Sequence, residues 1–145
     1  MRPDAASVIE GLYIACRRAD IEGMLELCAE DIVLVLHVPE DVSRYAGEMN
    51  GKPAVRRYLT DLHAAWSMIV VEPGRMRVEG GLVREVARFR SVFRATGDIY
   101  ESNYRHIWHV EDGLITRCEE FQDTPRLRAF LHLKCNGLAP AARRR

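Results

Sequence analysis

From Ile69 to Gln122 the chain alternates apolar and polar residues with a period of two, broken at Pro73-Gly74, Gly80-Gly81, Gly97-Asp98 and Asp112-Gly113. Such alternation sends successive side chains to opposite faces of a strand, and the glycine-bearing breaks supply turns. The pattern predicts strands near 69–79, 82–96, 99–111 and 113–122, each following the last as a meander. A sheet of that extent has an apolar face to cover, so the rest of the chain must cover it.

The N-terminal third has the means. Val8, Ile9, Leu12 and Cys16, then Ile21, Met24, Leu25 and Cys28, recur at helical spacing and give one apolar stripe each. Asp20 is placed to cap the second helix. Ile32 to Val38 is β-rich and stops at Pro39; it is apolar on both parities, which leaves open whether His37 faces inward. The stretch from Pro39 to Gly51 reads as a loop long enough to overhang the sheet. Gly51-Lys52-Pro53 opens a third helix whose stripe is Val55, Tyr58, Leu59, Leu62, Trp66 and Ile69, and Leu127, Phe130 and Leu131 mark a short last one. Helices first and strands after predict an α+β fold. The expected shape is a cone-shaped, curved antiparallel sheet with the N-terminal helices on its concave face, and an interior that side chains alone do not fill. One domain is expected over residues 1–138, with 139–145 a flexible basic tail.

Composition narrows the function classes. Basic and acidic residues number 21 each, so no net charge favours nucleic acid or an anionic membrane. The first twenty residues hold no clean apolar run, and the four cysteines have neither metal nor redox spacing. The expectation is a cytoplasmic protein without metal or organic cofactor. Arg84, Arg88, Arg90 and Arg94 share one parity of the third strand and read as an outer face, either solvated and balanced by acids or packed against a second copy, with a recognition surface for an anion or nucleic acid as the rival reading.

The closing strands carry the chemistry. One parity aligns Ser102, Tyr104, His106 and Trp108; on the next strand it aligns Cys118, Glu120 and Gln122. If that face lines the hollow, Glu120 is an acid among apolar walls, the setting that tunes a carboxyl for proton transfer. His106 titrates near neutrality and is a second candidate, as is His37 if it points inward. Phe89, Tyr104 and Trp108 would form walls. The competing readings are a Glu120 that is solvated or else paired with an arginine such as Arg105 or Arg88, and a His106 bonded within an aromatic core.

The segments Tyr100-Glu-Ser-Asn-Tyr104, Asp112-Gly-Leu-Ile115 and Glu120-Phe-Gln-Asp-Thr124 resemble motifs of the nuclear transport factor two-like superfamily, in particular its polyketide-cyclase (SnoaL) type and its ketosteroid-isomerase-related members. The likeness spans roughly residues 5–132. It implies a cone-shaped α+β fold, often a homodimer packed through the sheet, on which isomerases, cyclases, dehydratases, epoxide hydrolases and noncatalytic proteins are all built. The steroid isomerases' first-strand carboxylate has no counterpart at Leu36, His37 or Val38; their oxyanion-hole aspartate corresponds to His106 and their helix-one tyrosine approximately to Tyr13. The epoxide hydrolases' Arg-x-Asp falls at Ala87 and Phe89 and is absent, while their last-strand aspartate is matched by Glu120. The resulting expectation is a small, mostly apolar or carbonyl-bearing ligand, with Glu120, His106 and His37 as candidate catalytic groups. Tyr13, Phe89, Ser102, Tyr104, Trp108 and Gln122 are expected to contact it. The alternative is a noncatalytic binding or dimerisation module.

Overall fold

The computed structural model describes residues 3–138. The expected basic tail at 139–145 lies outside the described residues. In chain order the elements are α1 (Ala5–Arg17), α2 (Ile21–Glu26), β1 (Cys28–His37), β2 (Gly47–Asn50), α3 (Lys52–Ala65), β3 (Trp66–Glu79), β4 (Leu82–Phe93), β5 (Asp98–Glu111), β6 (Leu114–Phe121) and α4 (Thr124–Leu138). The fold is α+β, as the order of periodicities implies.

Local chemistry starts and stops these elements. Asp4 accepts the Ser7 amide at 2.8 Å and Asp20 the Gly23 amide at 2.9 Å, satisfying free donors of α1 and α2. Pro53 sits in the first turn of α3, where its missing N–H is no loss. Asp112 and Gly113 both take positive φ and turn β5 into β6.

The six strands order as β2-β1-β6-β5-β4-β3 in one curved, open sheet. The meander β3 to β6 is antiparallel throughout, but β6 lies parallel to β1. The expectation of a wholly antiparallel sheet is corrected at this one seam: the returning meander lays its last strand beside the first and pointing the same way. Three local expectations also change. Residues 47–50 form an edge strand within the stretch read as loop, and Trp66 begins β3 rather than ending α3. Pro73-Gly74 is not a turn but an irregularity within β3, where the register against β4 shifts. A Cβ on Gly74 would lie 2.3 Å from the Val86 carbonyl oxygen, so only glycine lets the two backbones approach there.

The helices cover one face. Val8, Ile9, Leu12, Tyr13 and Cys16 of α1 and Val55 and Leu59 of α3 are buried against it. The sheet answers with Val83, Ala87 and Phe89 of β4 and Tyr100, Tyr104 and Trp108 of β5. On β6 a register shift near Thr116 inserts one residue, so Ile115 and Cys118 both point inward despite opposite parity. That bulge puts Glu120 on the inner face.

Candidate functional site

Between sheet and helices lies a cavity of about 370 Å³. Its walls are mostly apolar: Leu12, Leu34, Leu36, Val55, Phe89 and Trp66 among them. Val42 and Ser43 reach it from the stretch before β2. Among the described residues, His106 and Glu120 are the ionisable acid and base in the lining. Cys16 and Cys28 also line it, and burial pushes both thiols up to about 11, so they act as small neutral walls.

The sheet register assembles the polar end. Glu85 on β4 is directly opposite His106 on β5, and His106 is opposite Glu120 on β6. Cross-strand neighbours on one face are close enough for side chains to touch. Accordingly the imidazole bridges two carboxylates, Nδ1 lying 3.2 Å from Glu85 Oε1 and Nε2 3.0 Å from Glu120 Oε1. Glu85 Oε1 also accepts from Trp108 Nε1 at 2.9 Å and from the Tyr13 hydroxyl, so three donors converge on one oxygen. Gln122 Nε2 donates to Glu120 Oε2 at 2.6 Å.

Burial works against charge on His106, but the bonds and charges of Glu120 and Glu85 outweigh it and carry its pKa up from 6.5 to about 9. At neutral pH the ring is therefore an imidazolium donating from both nitrogens. Burial also opposes charge on Glu85, yet the bonds from His106, Tyr13 and Trp108 hold its carboxyl below the usual range. Burial, reinforced by Glu85, keeps the Tyr13 phenol far above its ordinary value.

A pH effect on stability follows with a definite sign. Because His106 binds its proton more tightly when folded, its contribution is complete below about pH 6.5 and is lost as pH rises towards 9. The shift corresponds to roughly 3 kcal/mol at 1.36 kcal/mol per unit. Urea midpoints measured from neutrality to alkaline pH should fall across that window, and the fall should vanish in His106→Gln. The lowered Glu85 is the other side of the same contact; its contribution is lost in acid, below the ordinary carboxylate range.

Of the residues singled out in the sequence, Glu120, His106, Tyr13, Phe89, Tyr104, Trp108 and Gln122 line the cavity. Two expectations of placement are corrected. His37 is on the outer face of β1, its Nε2 2.8 Å from Glu119 and its ring stacked on Phe121 at 4.2 Å. Alternation explains this, since Leu36, not His37, takes the inward position. Ser102 is buried but does not line the cavity, and its hydroxyl turns to the Asn103 carbonyl at 3.4 Å. Glu120 is also not a bare acid in oil: it accepts from both His106 and Gln122, the posture of a base.

Glu85 is the residue that sequence reasoning missed. The signal was its parity, shared with the inward Ala87 and Phe89. The outer face of the same strand carries Arg88 and Arg90, 3.5 and 3.2 Å from Glu101, and Arg84, 3.3 Å from Glu79. That arginine stripe is balanced by acids. Among the described residues no group of three ligating side chains could hold a metal, and no helix is long and apolar enough to cross a membrane.

Comparison with known proteins decides the family. The model of the SnoaL-like domain matches residues 9–118. The chain belongs to the SnoaL-like domain family. No curated protein sequence matches it significantly. Among solved structures, this SnoaL-like domain is similar to an NTF2-like protein of unknown function from Burkholderia pseudomallei, at 19% identity and a TM-score of 0.76, over 90% of this chain and 97% of that one. It is also similar to IdmH from Streptomyces antibioticus, provisionally described as a polyketide cyclase, at 22% identity and a TM-score of 0.73, over 88% and 98%. A third is a protein of ketosteroid isomerase-like fold from Catenulispora acidiphila, in complex with trimethylamine, at 13% identity and a TM-score of 0.74, over 89% and 92%. At these identities the likenesses speak for the fold.

Proposed function

We propose that this SnoaL-like domain binds a small, mostly apolar carbonyl compound in the cavity and moves a proton on it, with Glu120 as the base. One observation carries the reading: an otherwise apolar cavity of about 370 Å³ has Glu120 and the buried His106 behind it at one place in its wall. A carboxylate in apolar surroundings, fixed by two hydrogen bonds, is held ready for a C–H acidified by a neighbouring carbonyl. Glu120 takes that proton, and the C–H electron pair moves into the carbonyl to form an enolate. Return of the proton to another carbon gives isomerisation; attack of the enolate on a second carbonyl gives cyclisation; expulsion of a β-hydroxyl as water gives dehydration.

His106 serves here as a positioning residue. Both its nitrogens are engaged by carboxylates, so it has no N–H left to offer the ligand. Its cation fixes the Glu120 carboxylate, and Glu85 keeps that cation in place. The polyketide-cyclase description of IdmH, a protein of the same fold, supports carbonyl chemistry of this kind.

The bicyclic ketone α-tetralone tests the reading, since it is small enough for the cavity and has exchangeable hydrogens beside its carbonyl. Wild-type protein should accelerate deuterium uptake at that carbon. Leu36→Trp, which puts an indole into the cavity beside Glu120, should abolish binding and exchange together. Exchange that persists with the cavity filled would place any chemistry elsewhere.

A further inference from the structure

An enolate needs hydrogen-bond donors at its oxygen, and the obvious ones here are already committed. Tyr13 and Trp108 donate to Glu85, and His106 donates to both glutamates. Three cavity-lining tyrosine hydroxyls, of Tyr58, Tyr100 and Tyr104, are not committed, and two of them stand near Glu120. Tyr104, on the inner face of β5, is 7% exposed, and Tyr58 projects from α3 on the facing wall. Neither hydroxyl has a hydrogen-bond partner among the described residues. Tyr58 is only half-buried, and both side chains line the cavity, so a hydroxyl with no partner in the protein is free to donate to a ligand or water there.

Their surroundings fix the rings and leave the hydroxyls the variable part. Tyr104 stacks on Phe89 at 4.7 Å and lies 6.2 Å from the His106 ring, centre to centre. Tyr58 packs edge-on against Tyr45 at 5.3 Å. Both are near enough to Glu120 to feel its charge, and Tyr104 feels Tyr58 as well. Burial first, then Glu120, raises both phenols well above their ordinary values, so each remains a neutral donor. Tyr100 also has an unpartnered buried hydroxyl, but it lies two inward positions beyond Tyr104 and so farther from the base.

We infer that the Tyr58 and Tyr104 hydroxyls form a two-donor subsite for a ligand oxygen, taking the carbonyl or enolate of the compound whose C–H faces Glu120. This rests on the proton-transfer reading above and names the chemistry of its substrate: a ketone or enolisable carbonyl, not a hydrocarbon or a simple acid. Base and donors then act on the two ends of one C–C=O unit, the arrangement that stabilises charge where it develops.

The test compares α-tetralone with tetralin, the same skeleton without the oxygen, by calorimetry and by infrared spectroscopy of the bound ketone. Wild-type protein should prefer the ketone, and its C=O stretch should move to lower frequency on binding. Tyr104→Phe and Tyr58→Phe should each lose about 3–10-fold of ketone affinity, the size of one neutral hydrogen bond, with tetralin unchanged. The stretch should move back up in each variant. Equal binding of ketone and hydrocarbon, an unshifted stretch in the wild-type protein, or equal weakening of both probes would overturn the subsite while leaving the cavity intact. Failure of both probes to bind would overturn the cavity reading and the subsite with it. The infrared shift in unaltered protein needs no variant to fold.

Discussion

Glu85→Ala should lower the unfolding free energy by about 3–5 kcal/mol at neutral pH, the cost of removing one partner from a buried ion pair. The Glu85 side chain is fully buried, and three donors end on one of its oxygens. Without it the Trp108 N–H, the Tyr13 hydroxyl and the His106 Nδ1–H are all left inside the protein with no acceptor. These losses share one site and overlap, so their separate costs do not add. Glu85→Gln keeps an acceptor of similar shape for Tyr13 and Trp108 and should cost less. Both variants should bring the His106 pKa down, because one of the two carboxylates holding its proton is gone. Urea denaturation checks the first point; a change under about 1 kcal/mol would mean that Glu85 holds nothing in place.

The second large effect is on chemistry rather than folding. Glu120→Gln keeps the shape and removes the base, so deuterium uptake into bound α-tetralone should fall by about 10²–10⁴-fold, the usual contribution of a positioned general base. Glutamine still offers an oxygen to His106 Nε2, and its amide meets the Gln122 amide where the carboxylate stood. Binding of the ketone should survive, because the Tyr58 and Tyr104 hydroxyls are untouched. A variant that binds and exchanges like the wild type would remove Glu120 from the reaction and favour a noncatalytic binding module. A variant that exchanges normally but unfolds more easily would make Glu120 merely a structural partner of His106.

Much of this arrangement is legible in the sequence, for identifiable reasons. The meander shows because alternation and glycine turns are local signals, and Asp112-Gly113 fixes the parity of the strand on each side. Once that parity is set, Tyr104, His106 and Trp108 fall on one face of β5, whereas Glu120 and Gln122 join them only through the bulge near Thr116, which the turn does not record. The parallel seam between β1 and β6 is not local: it depends on where a long meander returns, which no window of residues records. β2 is four residues at an edge, too short to show a period. His37 was undecidable because β1 is apolar on both parities, and only the structure shows Leu36 inward and His37 against Glu119.

Glu85 was hidden for a different reason. On β4 it is an acid among arginines, and such a stretch reads as a balanced surface. Parity alone separates it from Arg84 and Arg88, and its role appears only when Tyr13 of α1 and His106 of β5 are brought to it. The hydroxyls of Tyr58 and Tyr104 were likewise legible as side chains but not as unanswered donors. That property belongs to the packed interior and not to either segment.

Heteronuclear NMR of the His106 ring nitrogens reports most directly on whether a carboxylate–imidazolium–carboxylate row holds Glu120 against the cavity. With Glu85 and Glu120 on either side, both nitrogens should carry protons at neutral pH, and the ring should titrate near 9. A ring found neutral at pH 7, with one bare nitrogen and a midpoint at or below the ordinary histidine value of about 6.5, would contradict the row and the base it positions.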